Sequence, residues 1–90
     1  MYSLEPTPAE VSKALAEKFR TIRRQSGLSQ EAMAERSDVS LGSLKRFERT
    51  GKISLESLLK LMHLLGRLNE FNKLLAPKEN REDLEKLFTK

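Results

Sequence analysis

The sequence predicts an all-α protein of five packed helices with a further helix at its C-terminal end. Three observations carry this expectation. Apolar side chains recur three and four positions apart over most of the chain, which stacks them on one face of a helix. No segment sustains the period-two alternation of a half-buried strand. Residues that cap or stop helices stand at the ends of the periodic runs.

The first helix is expected to begin at Pro8, with Thr7 as its cap, proline where a missing N–H costs nothing, and Glu10 three residues after the cap. Val11, Leu15, Phe19 and Ile22 then share a face, and the helix ends near Ser26, with Gly27 free to turn left-handed. Ser29 caps a short second helix that carries Ala32, Met33 and Arg36. After Asp38 and Val39, Ser40 caps a third helix, Leu41 to Arg49, with Leu44 and Phe47 on one side and Ser43, Lys45, Arg46 and Arg49 around the rest; Gly51 stops it. Ser54 caps a fourth, carrying the stripe Leu55, Leu58, Leu59, Met62 and Leu65 and closed by Gly66. A short fifth holds Leu68, Phe71, Leu74 and Leu75, up to Pro77. Asn80, with Asp83 three residues on, opens a sixth with Leu84, Leu87 and Phe88, and Arg81 and Glu85 are spaced to pair. The expected division is residues 1–76 as the folded domain and 77–90 as an amphipathic C-terminal helix.

Ninety residues, 38% hydrophobic and 33% charged, suffice for one small core and its charged surface. With no cysteine, disulfides, thiolate zinc sites and thiol catalysis are excluded, and His63 is a single imidazole lying off the apolar stripe of its helix. The expectation is no catalytic residue, no metal and no cofactor. No run approaches the roughly 18 apolar residues of a membrane span, and Met1 to Glu5 does not open like a signal peptide, so no membrane and a cytoplasmic location are expected. A formal charge of +4 leans towards an anionic partner, but it divides as +2 in residues 1–50 and +2 in 51–90, so placement of the charges must decide.

The stretch from Leu28 to Arg49, LSQEAMAERSDVSLGSLKRFER, resembles the helix-turn-helix of the phage-repressor/Cro-like family, also called the xenobiotic-response-element type. Ser29-Gln30 at the start of the second helix, Ala34 at the helix crossing, Val39-Ser40 leading into the third, Phe47-Glu48-Arg49 at its close and the run from Ser54 to Leu61 are each similar to the family's pattern. The resemblance covers about Leu15 to Leu75. It implies a five-helix, lambda-repressor-like fold and a sequence-specific DNA binder, typically dimeric. It also implies that Arg23 pairs with Glu48 as a structural pair.

Physical requirements point to the same residues. A helix that enters a major groove about 12 Å wide buries one side against its own domain and offers polar or cationic groups on the other. Leu44 and Phe47 serve as anchors. Ser40, Leu41, Gly42, Ser43 and Arg46 are then expected to face the bases or the adjacent backbone, and Lys45 and Arg49 the phosphates. Gln30, in the first turn of the second helix, is expected to add an amide donor to a phosphate oxygen that the helix N-terminus already favours. Two departures from the family pattern stand out. Leu41 and Gly42 occupy positions where many members carry long hydrogen-bonding side chains, which shifts donor-based readout to Arg46 and Ser43. Asp38 replaces the glycine common in the turn, a substitution eased by the readiness of Asp to turn left-handed.

The leading expectation is a homodimeric regulator, a repressor, of double-stranded DNA. One alternative is a HipB-like antitoxin whose partner is a HipA-like kinase toxin; another is a protein-interaction module on a helix-turn-helix scaffold. Leu68, Phe71, Leu75, Leu84, Leu87 and Phe88 are the expected dimer or partner contact. The last three form a narrow stripe that a short helix cannot bury alone, and the dimer is the favoured cover among the same protomer, the twofold mate and another protein.

Overall fold

Four side-chain hydroxyls set where the long helices begin. In the computed structural model, which describes residues 5–77, Thr7, Ser29, Ser40 and Ser54 each hold extended backbone and accept a hydrogen bond from the N–H three residues on, at 3.0–3.1 Å. The helices they open are α1 Pro8–Gln25, α2 Gln30–Ser37, α3 Leu41–Thr50 and α4 Leu55–Leu64; a single turn, α5 Asn69–Asn72, follows without a side-chain cap. All five expected helices of the domain are present, and the described residues contain no strand. The expected sixth helix, with Leu84, Leu87 and Phe88, lies outside the described residues.

The core sits where α1 and α2 both pack on α3, with α4 closing it against α2. Phe19, Met33, Leu44, Phe47 and Leu61 are fully buried, and the rings of Phe19 and Phe47 meet at 5.5 Å between centroids in a tilted arrangement. Leu44 and Phe47, spaced three apart, thus anchor α3 as the sequence predicts. The turn between α2 and α3 survives without glycine: Asp38 is left-handed at φ 60° and caps α2 by donating its N–H to the Ala34 carbonyl.

Two faces differ from the expectation. On α1 the buried side is Ala16, Phe19 and Arg23, whereas Val11 is 51% exposed and Leu15 and Ile22 are half-buried. The helix is rotated because Arg23 must face Glu48 on α3, with small Ala16 on the same buried side two turns earlier. On α4 the buried side is Leu58, Leu61 and Met62, while Leu55, in the first turn, is 67% exposed. Apolar residues occupy so many consecutive positions there that spacing alone does not choose a face. On α2 the buried residues are Met33, Ala34 and Ser37, and Arg36 is exposed.

Past α4 the chain turns at Gly66, and Arg67 pairs with Glu70 through its Nε and, at 3.1 Å, its Nη2. The hydrogen bond from Arg67 holds the Glu70 carboxyl below the ordinary carboxylate range, so the pair contributes at neutral pH and is lost on acidification through that lowered value. Both groups are solvent-exposed, and the contribution is small.

Candidate nucleic-acid interface

Everything α3 does not bury is polar, cationic or absent. Gly42, Ser43, Lys45, Arg46 and Arg49 are all exposed, and Ser40 precedes them at the helix mouth. The fixed spacing of Leu44 and Phe47 in the core therefore turns one continuous side of α3 outward. Leu41 is the exception among the expected contacts: it is half-buried and packs against the core, which leaves only part of its side chain for a thymine methyl. Ser40 Oγ donates to Ser43 Oγ at 2.8 Å while accepting from the Ser43 N–H, so the Ser43 hydroxyl hydrogen remains a donor for an outside acceptor.

Beside this face lies a hub centred on Glu48, whose side chain is 4% exposed. Arg23 grips the carboxylate with both arms of its guanidinium, Nε to Oε2 at 2.6 Å and Nη2 to Oε1 at 3.0 Å, and its Nη1 donates to the Leu28 carbonyl at 2.7 Å. One side chain thus ties α1, the loop before α2 and the end of α3 together, and no buried side-chain polar atom among the described residues is left without a partner. Gln30 Nε2 donates to Glu48 Oε1 at 3.1 Å. The first residue of α2, expected at a phosphate, is therefore held by the same carboxylate that closes the core, and its second amide hydrogen is left for a ligand.

The sequence reading missed Arg20. Its Nε lies 3.9 Å from Glu48 Oε1, the oxygen that also accepts from Gln30, with half its side chain exposed. The signal was the spacing of three from Arg23 on α1, but that spacing carries no information about which element the face meets. Arg24, by contrast, is an exposed surface residue, as is His63.

Gly42 is exposed, and a Cβ built on it meets nothing within 4 Å. Gly42→Ala is therefore expected to stabilise the fold by about 0.8–1 kcal/mol through helix propensity, read as a higher melting temperature. If the bare backbone serves close approach to DNA, the same variant binds duplex more weakly; a higher melting temperature with unchanged affinity assigns Gly42 no part in binding.

Among the described residues no group of His, Cys, Asp and Glu is arranged to hold a metal ion, and no helix is long and apolar enough to cross a membrane. A family model described as helix-turn-helix matches residues 19–70, from the middle of α1 into α5. No curated protein matches the chain.

Proposed function

The chain belongs to the helix-turn-helix family of the phage-repressor/Cro type, a family of DNA-binding domains, and from that premise we propose that it is a sequence-specific, homodimeric transcriptional repressor. The observation that carries the proposal is the outward side of α3: Ser43, Lys45, Arg46 and Arg49 stand exposed together on a helix whose opposite side is anchored by Leu44 and Phe47. α3 enters the major groove, Arg46 and Ser43 donate to base edges, and Lys45 and Arg49 meet phosphates on either side. Gln30, oriented by Glu48 at the start of α2, fixes the register on the backbone.

Selection of duplexes from a random library by the purified protein tests this directly. One enriched site with salt-sensitive binding supports the proposal; no salt-dependent binding to any duplex overturns it in favour of an interaction module. On the selected site Arg46→Ala is expected to cost about 1–3 kcal/mol and to relax preference at one position, whereas Gln30→Ala weakens all duplexes alike. Equal losses on selected and random duplexes for Arg46→Ala place that residue among the phosphate contacts.

For the dimer, Leu68 and Leu75 are exposed apolar residues after α4, at 38% and 102% exposure, that do not line the groove along α1, while Phe71 packs on the core. A twofold contact there places two recognition helices about one helical turn, 34–36 Å, apart on an operator. Leu75→Lys is expected to shift the protein towards monomer in sedimentation analysis and to weaken binding to the two-half-site duplex more than to a single half-site.

A further inference from the structure

On the side of α1 that the core leaves uncovered runs an apolar groove. Val11, Leu15 and Ile22 of α1 form one wall, Phe71 and Leu74 the other, and Met62 lies at its floor. Val11 and Leu74 are 51% and 61% exposed, an unusual fate for residues spaced to be buried. The groove is unsuited to DNA: its charged lining residues are Glu10, Lys18, Arg67 and Glu70, two of each sign, with Arg67 and Glu70 already paired. None of the residues of the α3 face lines it.

We propose that this groove is the docking surface for the chain's own C-terminal segment, residues 78–90, which covers it within the same protomer through Leu84, Leu87 and Phe88. The place of the groove along the chain argues for this occupant. Leu74 lines the groove, and Pro77 follows it by only three residues, so residues 78–90 are tethered close to the groove. Val11 and Ile22, the ends of the α1 wall, are eleven residues apart, about 16 Å of helix. The seven residues from Pro77 to Leu84 span up to about 23 Å when extended, so the apolar triplet reaches any part of the wall. Residues 78–90 carry four basic and four acidic side chains, so a neutral segment meets a groove lined by balanced charges. A segment tethered at the rim is present at an effective concentration in the millimolar range, which favours it over a second copy of the chain at ordinary protein concentrations. The stripe that the sequence reading assigned to the dimer is thereby used inside one protomer, and the DNA-binding face stays open.

The chain has no cysteine, so an introduced pair reports proximity without background. Ala14, an exposed residue lining the groove, is replaced in A14C, and the full-length protein also carries L84C, L87C or F88C in three separate double variants. Under mild oxidation at low concentration, at least one pair is expected to close within a chain, giving a faster-migrating monomer on non-reducing gels and a linked peptide by mass spectrometry. Closure only between chains assigns the segment to a second copy and overturns the proposal, as do three pairs that stay open. Independently, the double variant L84D/L87D in the full chain should melt roughly 5–10 °C lower, since a domain of this size loses about 4–8 °C per kcal/mol. An unchanged melting temperature overturns the docking even if the thiols can be made to meet.

Discussion

Replacing Glu48 by alanine is expected to lower the stability of the fold by about 3–5 kcal/mol, because it leaves the buried guanidinium of Arg23 without its counter-charge. The Arg23 side chain is only 7% exposed; two of its three nitrogens bond the lost carboxylate, and only the Leu28 carbonyl remains for the third. Small domains hold about 5–15 kcal/mol in total, so the variant is expected to be partly unfolded at moderate temperature. Urea unfolding followed by circular dichroism measures the loss. Replacing both partners with apolar side chains of similar length, Arg23→Met with Glu48→Leu, is expected to be much milder, because no charge is then stranded. A coupling energy near zero in that cycle is incompatible with the bidentate pair. The double variant also frees the Gln30 amide from its acceptor, so it should bind DNA more weakly than its stability suggests.

The second large effect is expected at Gly51, a position where two costs coincide. Gly51 ends α3 in the left-handed region at φ 81°, where an alanine costs about 1–2 kcal/mol for backbone conformation alone. A Cβ there also falls 2.8 Å from the Ser12 carbonyl carbon and 2.9 Å from the Lys13 nitrogen, both backbone atoms of α1. A flexible side chain can swing away from such a contact, but a helix backbone yields only by moving α1 off α3. Overpacking of that kind adds about 1–3 kcal/mol. Gly27 supplies the control: its φ of 74° is nearly the same, but a Cβ there meets nothing within 4 Å. Gly27→Ala is therefore expected to show the backbone cost alone, and the difference between the two variants in thermal unfolding isolates the close approach of α3 to α1. Equal losses at the two glycines are incompatible with that approach.

What was legible in the sequence is what depends on neighbours along the chain. Thr7, Ser29, Ser40 and Ser54 could be read as caps because each hydroxyl bonds an N–H only three residues away. Leu44 and Phe47 could be read as anchors because a three-residue spacing fixes their common side of α3, and with it the exposure of Ser43, Lys45, Arg46 and Arg49. The pairing of Arg23 with Glu48, 25 residues apart, was implied by the family resemblance and not by any spacing.

Other features were decided only when the helices met. The inward face of α1 is set by the reach of Arg23 to α3, which moves Ala16 into the core and leaves Val11 on the rim of the groove. The inward face of α4 was ambiguous because leucines occupy both candidate stripes, and packing against α2 selected Leu58, Leu61 and Met62. The hold of Glu48 on Gln30, the nearness of Arg20 and the clearance at Gly51 all join residues 18 or more positions apart. The sequence by itself determined where helices start and stop and which side of α3 is wet, since those follow from local hydrogen bonds and a 3.6-residue repeat. The tertiary structure decided which side chains share a carboxylate and where a Cβ is forbidden, since those depend on distances between helices that no local pattern encodes.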